Sequence, residues 1–171
     1  MIFWYALLAL VIGVRFVELG VAKRNRAWAM ERGAVESGAE HYPVMVALHS
    51  ALFAGCLLEV PLADRPFLPW LGWPMLALLA GAHALRWWCI RTLGPQWNTR
   101  VLRVPGAPLV TGGPYRWLRH PNYVAVVVEG FALPLVHTAW VTALVFTVLN
   151  GLLLRVRLRV ENEALATAPA A

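Results

Sequence analysis

The residues best equipped for chemistry lie in Leu109–Tyr123, LVTGGPYRWLRHPNY, a polar and basic interruption between two long apolar segments. Gly112 and Gly113 precede Pro114, so two residues without a Cβ are followed by one with a fixed φ; the backbone can turn sharply there and approach a ligand closely. Tyr115, Arg116, Trp117, Arg119 and His120 follow within six positions. Pro121 then stands where a helix can begin, with Asn122 and Tyr123 in its first turn. Ring faces, fixed positive charge, a titratable imidazole and helix N-terminal amides in one place suit an anionic or zwitterionic small molecule. The same segment also reads as a juxtamembrane loop whose arginines face lipid phosphates.

A second candidate follows the last apolar segment. Arg157 and Glu161 are four apart, so on a helix they project from one face. There the guanidinium can hold an anion bidentately while the carboxylate accepts hydrogen bonds from hydroxyls such as those of a ribose. An ordinary ion pair at a helix end is the simpler account of the same spacing. Between the two motifs, Glu129 sits in an apolar stretch that should favour its neutral form, which makes it a candidate general base or a buried carboxyl bonded to a helix neighbour. Gly94–Arg100, GPQWNTR, adds Trp97 as a possible pocket wall.

The elements that must position these groups are membrane helices. Of 171 residues, 60% are hydrophobic and 14% charged, and the mean hydropathy is +0.60. Such a chain cannot keep its surface wet. The formal charge of +6 is carried by residues beside apolar runs, which fits positive-inside placement better than nucleic-acid binding. Apolar segments at Ile2–Ala22, Pro43–Pro61, Trp70–Leu93, Asn122–His137 and Trp140–Leu154 predict five spans, all-α, the last two a hairpin. Counting Lys and Arg on alternate sides puts the N-terminus outside and the C-terminus in the cytoplasm, with both basic loops and all the candidate chemistry on the inner face. Arg15 and Glu18, three apart in the first span, predict an ion pair with each other or with a neighbouring helix. Cys56 and Cys89 fall in apolar segments and read as small buried hydrophobes, and no metal-ligand spacing is present. No glycine-rich nucleotide loop, zinc-protease motif or hydrolase elbow appears. One domain over residues 1–165 and a disordered tail at 166–171 are expected.

Together, GPYRWLRHPNY before a short hairpin and RLRVENEAL after it resemble the isoprenylcysteine carboxyl methyltransferase family over Leu93–Leu165, and in particular its smaller prokaryotic members, including those credited with O-methylating lipid-like phenols or alkylpyrones. The resemblance implies S-adenosylmethionine held by Leu109, Val110, Tyr115, His120, Pro121, Asn122, Tyr123 and Glu161. It also implies Arg157 orienting a lipophilic substrate that enters from the bilayer of a prokaryotic inner membrane, with Trp97 beside it and no obligate protein partner. The family usually has two adjacent glutamates; here the second is Asn162. Phospholipid or amine N-methylation, and NADPH-dependent reduction of the sterol reductase type, are the competing readings.

Overall fold

A computed structural model describes residues 1–166. It has five α-helices: α1 (Ile2–Met30), α2 (His41–Leu62), α3 (Pro69–Leu93), α4 (Pro121–Leu135) and α5 (Trp140–Ala166). The expected disordered tail lies, from residue 167 onward, outside the described residues. Among those described, α1, α2 and α5 are long and apolar enough to cross a membrane; α4 is apolar but shorter, at 15 residues. The remaining helix, α3, has 25 residues and carries His83, Arg86 and Arg91 along its length. The chain is a membrane helix bundle.

Two features order the polar stretches at one end of the bundle. Helix α1 runs eight residues past its apolar part, to Met30, and β1 (Val35–Ser37) then pairs antiparallel with β2 (Val101–Arg103), Glu36 opposite Leu102. Glu36 holds this ribbon to α1: Arg100 Nη1 donates to it at 2.5 Å and Arg26 Nη2 at 3.3 Å. Burial pushes its carboxyl up, but the hydrogen bonds and charges of Arg100 and Arg26 outweigh this and hold it below the usual range.

The core is a seam between α1, α2 and the hairpin, built from Trp4, Leu8, Val11, Leu52, Cys56, Val60, Leu133 and Phe146. Cys56 and Cys89 are both free and buried. The turn between α4 and α5 is unusual for a connection because Val136–Ala139 is wholly buried. Its polar groups therefore need partners. Thr138 Oγ1 donates to Pro66 O at 3.0 Å, and His137 stacks near Trp4 and Phe67 at ring separations of 5.1 and 5.6 Å. Glu59, which the sequence suggests merely reaches water, caps α5 from a neighbouring helix: Thr142 N and Oγ1 each donate to its Oε2 at 2.7 Å, Val141 N donates to Oε1 at 3.2 Å, and Arg65 pairs with it at 2.9 Å.

All these contacts belong to one end of the bundle. The other end gathers the end of α1, the ribbon, the 94–120 connection, the start of α4 and the end of α5. Of fifteen Lys and Arg residues, all but Arg15, Arg65 and Arg86 lie toward that second end.

The hairpin is tightest at Gly130, where a Cβ would stand 1.9 Å from Phe146 Cε1, and Phe146 is itself buried. Gly130→Ala should therefore destabilise the protein by about 1–3 kcal/mol. Gly81→Ala, whose Cβ would meet nothing within 4 Å, should be neutral or mildly stabilising. Thermal unfolding of the two variants in the same detergent checks the contrast.

Candidate active site

Pro121 at the first helical position starts α4, and His120 is its N-cap residue. The preceding Gly112–Pro114 turn is held against the end of α3. Gly113 has φ +54°, and a Cβ there would come within 2.4 Å of Thr92 Oγ1. Pro114 is buried beneath the turn. Tyr115, the next residue, sits against Cys89 of α3, and burial pushes its phenol up. Trp117 stays at the surface in an edge-to-face contact with Trp88, centroids 5.8 Å apart.

The end of α5 closes on the start of α4. Tyr123 Oη donates to Glu161 Oε2 at 2.5 Å, and His120 Nδ1 lies 3.4 Å from Glu161 Oε1. His120 Nε2 meets Asn162 Oδ1 at 3.1 Å. Both ring nitrogens thus face acceptors, an arrangement that suits the imidazolium. The hydrogen bond to Glu161 raises the His120 pKa; burial opposes this, and the charge of Glu161 and the contact with Asn162 add to it. Asn162, where a second glutamate would be expected, is therefore the residue that fixes the far side of the imidazole. The sequence motif gave no sign of that contact.

Arg157 and Glu161 share a face of α5 but do not pair with each other. The Arg157 guanidinium is buried, donates from Nη2 to Thr99 O at 2.9 Å, approaches Met45 Sδ with Nη1 at 2.6 Å, and leaves Nε without a partner. Its carbon lies 5.9 Å from the Tyr123 ring centroid. Tyr123 thus stands between the arginine and the carboxylate. Asn122, beside it, has a buried Oδ1 that accepts nothing.

Four of the expected site residues sit differently. Leu109 is 64% exposed in the loop and Val110 is half-buried, and neither belongs to the His120–Glu161 cluster. Trp97 is a packing residue, enclosed with Ala22 and Ile90, and its carbonyl accepts Asn25 Nδ2 at 2.8 Å. Loop packing against α1 buries it where a pocket wall was expected. Glu129 is buried, but not in the apolar surroundings its sequence neighbours suggest: Arg15 of α1 and Arg86 of α3 both donate to its Oε2, and His83 Nε2 is 4.0 Å from its Oε1. A carboxylate already committed to two guanidinium groups is poorly placed as a general base. The arginines come from helices far away in the chain, and of the two readings the sequence leaves open for Glu129 the structure shows the buried carboxyl bonded to neighbouring helices.

Comparison with known proteins places this geometry in a family. The chain is 40% identical over 164 residues to the uncharacterized protein YpbQ of Bacillus subtilis (strain 168), covering 95% of this chain and 96% of that one. It is 25% identical over 169 residues to an uncharacterized protein of Haemophilus influenzae, with 97% and 96% covered. The family model for isoprenylcysteine carboxyl methyltransferase matches residues 75–167, which takes in most of α3, the glycine turn, both hairpin helices and every residue of the His120–Glu161 cluster. The chain thus belongs to the isoprenylcysteine carboxyl methyltransferase (ICMT) family, and that membership makes it a membrane methyltransferase.

Proposed function

We propose that this protein transfers the methyl group of S-adenosylmethionine to an oxygen of a lipophilic acceptor, with the cofactor held where the start of α4 meets the end of α5. The observation that carries the reading is the contact of His120 and Tyr123 with Glu161, some forty residues apart in sequence.

The residues fit such a cofactor. Asn122 Oδ1 is a buried acceptor in need of a donor, of the kind an ammonium or a ribose hydroxyl provides. Glu161 can accept from the same groups, with His120 offsetting its charge. The faces of Tyr115 and Tyr123 suit a sulfonium cation, and Leu109 and Val110 would cover the exposed side. When bound, the cofactor supplies a methyl group already activated on sulfur, so what the chain's own residues must contribute is alignment and exclusion of water. Arg157 would orient an anionic acceptor through its free Nε, and the bilayer would deliver a lipophilic one. The excess of Lys and Arg at the site's end of the bundle supports a cytoplasmic C-terminus, an external N-terminus and a five-span domain over residues 1–165 in a bacterial inner membrane.

Three measurements test this. By calorimetry in detergent, the protein should bind S-adenosylmethionine and S-adenosylhomocysteine, and His120→Ala and Glu161→Ala should each weaken binding by at least about tenfold. Tight binding of NADPH with none of S-adenosylmethionine would overturn the assignment in favour of a reductase. Arg157→Ala should leave cofactor affinity within a small factor while lowering turnover by roughly a hundredfold; unchanged turnover would remove its role as a clamp. The His120–Glu161 contact also has a pH signature. The folded-state pKa of His120 lies above the ordinary 6.5. Its stabilisation is therefore full below pH 6.5 and lost as pH rises through the raised value. Melting temperature against pH should show that loss in the wild type, and a flatter curve in Glu161→Gln.

A further inference from the structure

Buried positive charge is treated in two ways in this bundle. Arg86 belongs to an inner cluster with Arg15, Glu18, His83 and Glu129, where it faces Glu129 and, at 3.7 Å, Glu18. Two guanidinium groups balance two carboxylates there, and the cluster ties α1 to α3 and α4. Arg157 is the other buried arginine, 8% exposed, and among the described residues it has no ion pair. Glu161, one turn on, is taken by Tyr123 and His120. The neighbours of the Arg157 guanidinium are neutral: Thr99 O accepts from Nη2 at 2.9 Å, Met45 Sδ stands 2.6 Å from Nη1, and the Tyr123 ring centroid lies 5.9 Å from its carbon. Nε has no partner. A buried charge without an opposite one is costly, and an oxygen from outside the chain would complete it.

As the side chains stand, there is little room for one. The cavity beside Arg157, lined also by Gly38, Tyr42, Arg100 and Val160, measures about 10 Å³, space for one water. A head group therefore reaches the guanidinium only when a side chain withdraws. Tyr123 is tied to Glu161 at 2.5 Å. Arg100 is tied to Glu36 at 2.5 Å, with its guanidinium 3.8 Å from the centre of the Tyr42 ring. The Met45 side chain has no tie besides the guanidinium among the described residues. Its thioether is a weak acceptor on an unbranched chain with three rotatable bonds, so it gives way to an oxygen at little cost. Tyr42, three residues before it on the same face of α2, stays as a wall.

We propose that Met45 is the gate of the Arg157 clamp and so determines which head groups reach it. In the resting protein its thioether covers Nη1. An oxygen of the acceptor's head group displaces the sulfur and takes the N–H in its place, while Nε stands open already. In a close-packed interior the withdrawn thioether vacates only the volume of a sulfur and a methyl group. That is enough for the two oxygens of a carboxylate and too little for a phosphate, so the gate turns away phospholipid head groups in the surrounding bilayer. This rests on the methyltransferase reading above, and it places a specificity residue on α2, which precedes the family match.

The test uses the full-length protein in a non-ionic detergent, its four methionines isotope-labelled at the methyl group for nuclear magnetic resonance. Sodium dodecanoate and dodecyl phosphate are the probes, and Met45→Leu assigns the Met45 signal. Dodecanoate should move that signal and leave that of Met75, packed against the core, in place. Dodecyl phosphate should move neither. In Arg157→Ala the Met45 signal should not respond to dodecanoate. By calorimetry, Met45→Ala should bind dodecanoate at least about fivefold more tightly than the wild type, since nothing has to be displaced, and should also take dodecyl phosphate. Met45→Glu sets a carboxylate against Arg157, so it should bind dodecanoate at least about tenfold more weakly. It should still bind S-adenosylhomocysteine as the wild type does and melt no lower. A Met45 signal that ignores dodecanoate, responds equally to both probes or still responds in Arg157→Ala would overturn the gate, as would a Met45→Ala variant no tighter than the wild type. With S-adenosylhomocysteine still bound, each of these results leaves the methyltransferase reading in place. A wild type that binds no S-adenosylhomocysteine would overturn that reading and the gate's role with it.

Discussion

A charged group in an apolar bundle is tolerable only when paired, and here that constraint does the positioning. Glu129 sits on the short helix α4, where nothing local can neutralise it. Its partners come from α1 and α3. The same rule acts at the ends of the helices: Glu59 of α2 takes the free amides of α5, and Thr138 closes the buried hairpin turn on Pro66. These contacts join helices that are distant in the chain, and between them they orient the α4–α5 hairpin so that its open end brings His120 and Glu161 together.

The part of the chain that precedes the family match is therefore more than a membrane anchor. The match begins at residue 75. Before it, Arg15 and Glu18 reach the inner cluster, Asn25 fixes the loop at Gly94 and Trp97, Met45 lies against Arg157, and Glu59 caps α5. Glu36 and the ribbon clamp the long connection to the end of α1, which in turn sets where Thr99 O meets the Arg157 guanidinium. A surface ion pair contributes little stability. Glu36 is better understood as fixing the position of a loop that would otherwise have many.

Two polar layers with different chemistry result. The outer one, Tyr115, His120, Tyr123, Glu161 and Asn162, pairs an imidazole with acceptors on both sides and lies at the basic end. The inner one, Arg15, Glu18, His83, Arg86 and Glu129, is charge-balanced and enclosed by apolar helices.

The amino-acid sequence by itself determined the class of the protein and singled out Tyr115, His120, Tyr123 and Glu161, which the bundle then brings to one end. Runs of apolar residues can only be membrane helices, a Gly-Gly-Pro turn before His-Pro-Asn-Tyr can only end one segment and begin another, and Arg157 and Glu161 share a helical face by their spacing alone. Whatever depended on partners from elsewhere was decided by the tertiary structure. Glu129 could be read either as a base or as a bonded carboxyl because its arginines are 114 and 43 residues away. Trp97 looked available because the α1 surface that buries it is absent from its neighbourhood in sequence. Arg157 and Glu161 looked like a pair, but Tyr123 and Thr99 drew them apart. Local pattern follows from backbone geometry and hydropathy, whereas the pairing of a buried charge depends on which helix lies across from it, and only the packed bundle contains that information.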